Sequence, residues 1–237
     1  MSDYVLIHGA WHGGWCWHRV LARLERAGHR VIAPDLASLG RDRTAPESVT
    51  LALWADQIAA LLTEPTAPVI LVGHSLGGAV LSEVAERVPE RIRMLVYVTA
   101  YLLEDGRSVR EEAALDPDSL IGRAMTIAPD RRTATVRASA LREACYGQCT
   151  DEDVALASAL LVPQALAPLA TPVRVSPARF GRVPRTYVEC TLDRVITPAA
   201  QRRMQAATPC ARRFSLTSDH SPFFSHPAEL TQLLADL

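Results

Sequence analysis

The sequence predicts an α/β fold: a mostly parallel sheet flanked by helices, with a helical lid inserted after the sixth strand. Three observations predict it. Short apolar runs alternate with helix-period segments at both ends of the chain. Residues 69–72 are apolar at every position, as a strand covered on both faces must be. Residues 104–184 break that rhythm and are rich in Arg, Ala, Asp and Pro. The expected division is a core domain in two parts, 1–103 and 185–237, around a lid or cap at 104–184.

The elements follow in order. Residues 5–7 form an apolar strand ending at His8-Gly9. Residues 17–27 place Val20, Leu21 and Leu24 at helical spacing, and Gly28 stands where a helix-terminating glycine belongs. A strand at 31–33 is stopped by Pro34-Asp35. Residues 50–63 carry Leu51, Trp54, Ile58, Leu61 and Leu62, a second amphipathic helix. After strand 69–72 comes a turn and a helix over 73–87, then a buried strand at 95–98. In the lid, only 172–175 is a comparable β-branched run, and the rest reads as helices and loops, including a helix at 151–161. Alternation resumes with a strand at 186–190, a helix at 198–207, a strand at 213–216 and a final helix from Pro227.

Composition removes several function classes. The 237 residues carry 25 basic and 26 acidic side chains, for a net charge of −1. Near-neutrality gives no electrostatic footprint for nucleic acid or an acidic membrane surface. No apolar run approaches the roughly 18 residues of a membrane span. Every basic residue is arginine, because the chain has no lysine, and this excludes Schiff-base, pyridoxal-phosphate and P-loop lysine chemistry. Five scattered cysteines, and an N-terminus that runs straight into a strand, lead us to expect a cytoplasmic protein with free thiols.

The motif that carries chemistry is Gly73-His74-Ser75-Leu76-Gly77, a G-x-S-x-G that follows an apolar strand and opens a helix. In that context the serine sits on a sharp turn, with first-turn N–H groups aimed at it. A serine hydroxyl needs a base, and the base needs an orienting acid, in the chain order Ser, Asp or Glu, His. Strand 186–190 leads to Asp193, and strand 213–216 leads to His220. Ser75 is thus expected as nucleophile, His220 as general base and acid, and Asp193 as the carboxylate that orients it. The oxyanion donors are expected to be the N–H of Leu76, after the nucleophile, and of Ala10, in the loop after the first strand.

Other residues compete for these roles. Asp219 adjoins His220 but points away from it. Asp35, Glu104 and Asp105 follow earlier strands, and Glu104 or Asp105 is the main alternative acid. Adjacent side chains at a turn diverge, so His74 is not expected to serve Ser75. His18, His29 and His226 read as surface or helix-flanking residues.

At this point the chain resembles the α/β-hydrolases of the plant methylesterase and hydroxynitrile lyase group and their bacterial esterase relatives. The resemblance rests on residues 8–17 (HGAWHGGWCW), 73–78 (GHSLGG), 149–157 (CTDEDVALA), 179–181 (RFG), 188–193 (VECTLD) and on Asp219-His220. It implies the same triad and oxyanion donors, no cofactor, a small-molecule ester as substrate, and a homodimer. The group's lyases carry threonine where Gly9 stands and lysine where Ser221 stands, so the resemblance favours ester hydrolysis over cyanohydrin cleavage. A ligand-binding protein with little turnover is a further alternative, and a thioester, lactone or amide stays open as the acyl bond. All four tryptophans lie in the first 54 residues, so the lid has none to wall a pocket. The expected lining is Trp11, Tyr101, Leu102, Tyr146, Leu161 and Phe223. The expected substrate is a small, mostly apolar ester.

Overall fold

The computed structural model describes residues 1–63 and 67–237. Its strands are β1 (Asp3–Ile7), β2 (Arg30–Ile32), β3 (Val69–His74), β4 (Ile92–Val98), β5 (Met125–Ile127), β6 (Thr133–Val136), β7 (Gln164–Ala165), β8 (Arg185–Cys190) and β9 (Arg212–Leu216). Six of them form one sheet in the order β2-β1-β3-β4-β8-β9, with every pair parallel. All six residues of β3 are buried, which explains its unbroken apolar run. Leu6, Val72 and Val96 stand side by side across the three central strands.

Helices α1 (His18–Arg26), α2 (Leu51–Leu61) and α3 (Gly77–Arg87) alternate with the first strands. In the inserted segment lie α4 (Val109–Ala114), α5 (Ile121–Ala124), α6 (Ala138–Cys145), α7 (Asp151–Leu160) and α8 (Ala167–Ala170). Then come α9 (Pro198–Ala207), α10 (Pro222–Ser225) and α11 (Pro227–Ala235). Helix α2 packs on α3, and α1 on α11. The sheet and these helices enclose a core that buries Trp17, Trp54, Tyr97 and Tyr187, the two tyrosine rings stacked at 6.3 Å.

The structure corrects two expectations about the insertion. Among the described residues the sheet has six strands, and the insertion leaves it after the fourth in chain order, β4, because four described strands precede residue 99. The insertion is also not purely helical. Strands β5, β6 and β7 pair antiparallel into a small second sheet, and residues 172–175 join no strand. Runs of two to four residues fall below the length at which alternation separates a strand from a loop. Helix α7, by contrast, starts where the sequence places it. Thr150 and Asp153 form a capping box there, a device worth about 1 kcal/mol. The buried Asp153 carboxylate also pairs with Arg19 of α1 at 2.5 Å, which pins the insertion to the core.

Candidate active site

The strand order turns at β1 and β3: β2 lies on one side of β1 and all later strands on the other. Crevices beyond the carboxyl ends of strands form at such switch points. Here Gly9–Trp11 leave the end of β1 and Ser75 leaves the end of β3. Thr99–Tyr101 follow β4, Asp193 follows β8, and His220 follows β9.

Ser75 has φ +52, a left-handed conformation that a non-glycine residue adopts only when its surroundings enforce it. The enforcement comes from close packing of β3 and α3. A Cβ on Gly77 would stand 2.9 Å from the Ile7 carbonyl oxygen, so only glycine lets α3 approach β1. The Ser75 carbonyl accepts from Gly78 and Tyr101 N–H, both at 3.0 Å. Its hydroxyl hydrogen-bonds to none of the described residues and faces a cavity of ≈ 870 Å³.

His220 and Asp193 are joined. His220 Nδ1 lies 2.7 Å from Asp193 Oδ2, with both side chains buried. The other carboxylate oxygen, Oδ1, accepts the N–H groups of Val195 at 2.7 Å and Ile196 at 3.0 Å. The Thr99 hydroxyl donates to Oδ2. Four donors thus converge on one buried carboxylate, and the bond to Oδ2 orients the His220 ring with Nδ1 toward Asp193 and Nε2 away from it. The sequence reading missed Thr99. Its place directly after β4, at the same edge of the sheet as Ser75, is the signal that could have found it.

Three other histidines of this region, His8, His12 and His74, are buried, each in a fixed tautomer. His74 Nε2 donates to the His220 carbonyl at 2.7 Å, so the residue before the serine holds the loop that carries His220. His8 Nδ1 donates to the Gly9 carbonyl at 2.8 Å while Nε2 accepts from Leu36 N–H at 3.1 Å. His12 Nδ1 donates to the Ala10 carbonyl at 2.7 Å and Nε2 accepts from Tyr146 Oη at 2.6 Å. Burial holds all three neutral. It lowers His8 to about 4 and His12 to about 3 against opposing carbonyl bonds, and it lowers His74 well below the usual imidazole range, with help from the neighbouring His220 and His12.

The N–H groups of Ala10 and Leu76 have no acceptor among the described residues, and both residues line the cavity with Ser75. Trp11, φ +63, anchors the Ala10 loop to the insertion. Its N–H reaches Gln164 Oε1 at 3.3 Å, its indole N–H donates to the Ala134 carbonyl at 2.9 Å, and its carbonyl accepts from Val162 at 3.0 Å.

The alternative acids lie elsewhere. Asp219 accepts from Gln148 and Ser221 N–H rather than from a histidine. Asp35 holds Gly14 and Arg41, and Asp105 holds Val175. Glu104 is exposed.

The cavity lining corrects part of the expected pocket. Trp11 and Tyr101 line it; Leu102, Tyr146, Leu161 and Phe223 do not. Tyr146 and Phe223 are fully buried core residues, packed with His12, His74 and Phe224. Leu102 is buried as well, and Leu161 is half-buried against the core outside the cavity. The walls come instead from the insertion: Val109 and Ala113 on α4, Ile121 on α5, Met125 on β5, and Leu169 on α8.

This sheet topology, with a strained serine turn at the switch point and an aspartate and its histidine partner two and three strands away, is the α/β-hydrolase architecture. The chain belongs to the alpha/beta hydrolase family, whose family model matches residues 4–233. It is 31% identical over 99% of its length to a putative chloroplastic methylesterase 13 of Arabidopsis thaliana, and spans 55% of that protein. It is likewise 31% identical over 99% of its length to a methyl jasmonate esterase 1 of Vitis vinifera, and spans 95% of that one. The first curated relatives are thus much longer than the chain, which covers little more than half of them. Among solved structures, a pyrethroid hydrolase from Sphingobium faniae superposes with a TM-score of 0.87 at 30% identity, covering 99% of this chain and 96% of that one.

Proposed function

We propose that the protein is a serine carboxylesterase acting on small, mostly apolar esters. The observation that carries this reading is the convergence of Ser75 and two N–H groups with no acceptor among the described residues on one cavity edge, beside a histidine, His220, whose Nδ1 is held by a buried carboxylate and whose ring lies 4.5 Å from that of His74, the residue before the serine. His220 Nε2 takes the Ser75 proton as the hydroxyl attacks the ester carbonyl. Ala10 and Leu76 N–H groups receive the oxyanion. The alcohol leaves with the proton from His220, and water then releases the acid from the acyl-enzyme. The Ser75–His220 hydrogen bond closes on substrate binding, as such bonds commonly do.

The esterase names of the relatives support this reading, as does the mostly apolar cavity wall. Five free cysteines support a reducing, cytoplasmic setting. A homodimer completes the proposal. Among the described residues no helix is long and apolar enough to cross a membrane.

The test is Ser75→Ala on a short p-nitrophenyl ester. The expected result is loss of turnover by several orders of magnitude. Retention of more than about a tenth of wild-type turnover overturns the reading.

A further inference from the structure

The cavity beside Ser75 is walled by aliphatic side chains, yet its rim carries three arginines: Arg110 on α4, and Arg131 and Arg132 in the turn between β5 and β6. None of the three is in a salt bridge among the described residues, whereas Arg19, Arg87, Arg142, Arg194 and Arg203 each pair with a carboxylate. The acids nearby form no salt bridge with them among the described residues. Glu47 is the one acidic residue of the lining. Asp130, in the same turn, accepts the Arg132 backbone N–H, and Glu111, next to Arg110, is held by Ser108.

The turn is anchored rather than loose. Arg131 N–H donates to the Ala128 carbonyl, and the Arg132 carbonyl accepts from Leu166 N–H at 2.8 Å. Arg131 itself has φ +60, a position where glycine is the low-strain choice. The chain thus fixes the backbone of two adjacent arginines at the mouth of an apolar cavity that ends at Ser75. The planar fork of a guanidinium group matches the geometry of a carboxylate.

Building on the esterase reading, we propose that the preferred substrates are esters that carry a carboxylate at the end remote from the reacting ester, such as half-esters of dicarboxylic acids. The ester lies at Ser75, the aliphatic middle lies against Val109, Ile121 and Met125, and the carboxylate pairs with Arg131 and Arg132 at the rim, with Arg110 beside them.

Two arms test this. In the first, wild-type kcat/KM is measured for monomethyl suberate and for methyl octanoate. The half-ester is expected to be favoured about tenfold at 0.01 M salt, and the ratio to fall toward one at 1 M, where the screening length shrinks from about 30 Å to about 3 Å. In Arg131→Gln/Arg132→Gln the same ratio falls toward one at low salt. In the second arm, suberate and octanoate are titrated calorimetrically into Ser75→Ala, with and without the arginine substitutions. Suberate is expected to bind the more tightly, and only while the arginines are present. Equal use of the two esters, a preference for the neutral one, or a suberate preference that survives loss of the arginines overturns the proposal. The binding arm needs no turnover. Failure of the esterase reading, seen as no hydrolysis of either ester or of p-nitrophenyl butyrate, is therefore distinct from failure of the carboxylate site.

Discussion

Tyr146 Oη donates a 2.6 Å hydrogen bond to His12 Nε2, across 134 residues of sequence. Through His12 Nδ1 that bond continues to the Ala10 carbonyl at 2.7 Å. A residue of the insertion thereby holds the ring that holds the loop presenting one proposed oxyanion donor. Tyr146→Phe leaves a buried imidazole nitrogen without a partner, at a cost of about 1–3 kcal/mol in chemical denaturation. A stability loss alone would leave kcat intact in the folded fraction. If the relay positions Ala10, kcat on a short ester falls up to about tenfold while KM holds, less than the 10²–10³ of a deleted donor.

Asp193 gathers four donors, and two substitutions separate their roles. Asp193→Asn cannot hold the Nδ1–H tautomer and is expected to lower kcat on the order of 10⁴-fold. Thr99→Val keeps the shape of the side chain and removes only the hydroxyl donor. Steady-state kinetics should show a milder loss of about tenfold, in line with one hydrogen bond to a charged group. Wild-type kcat in Asp193→Asn would point to a different acid.

Gly9 has no room for a side chain. A Cβ there would stand 2.8 Å from His74 Nδ1 and 2.9 Å from Ser75 Cβ, closer than real contacts allow. Gly9→Ala must displace Ser75 or the His74 ring beside it. The expected result is about 1–3 kcal/mol of destabilisation and a drop of about 10²-fold in kcat/KM. An active, stable alanine variant would show that the β1 loop yields instead. The same contact bars the threonine of the lyase branch from this position unless the turn shifts.

His8, His12 and His74 stay neutral in the folded protein, with His8 lowered to about 4 and His12 to about 3 by burial. An unfolded chain protonates each near pH 6.5. Below that pH the unfolded state binds more protons, so stability present above pH 6.5 is lost as pH falls toward 4. Each histidine contributes up to about 1.4 kcal/mol per pH unit in that window. Urea unfolding at pH 7.5, 6.5, 5.5 and 4.5 is expected to be flat across the first interval and to fall steeply thereafter. A flat profile down to pH 5 would mean that the three buried imidazoles take up protons in the fold as readily as in the unfolded chain.

Local sequence determined most of the framework. The apolar run of β3, the glycines flanking Ser75 and the strand ends before Asp193 and His220 each follow from steric or hydropathic rules that act within a few residues. They place the serine turn, the aspartate loop and the histidine loop at one edge of a parallel sheet. What lay beyond the sequence is contact between distant segments. Tyr146 and Phe223 look like pocket aromatics in the sequence, yet the fold seals both into the core. Thr99 reaches Asp193 only because β4 and β8 are neighbours in the sheet. The arginine rim exists only because two short strands, too brief to register as a pattern, fold into a hairpin over the cavity. Periodicity reports which residues are buried together locally; the tertiary structure alone decides what they are buried against.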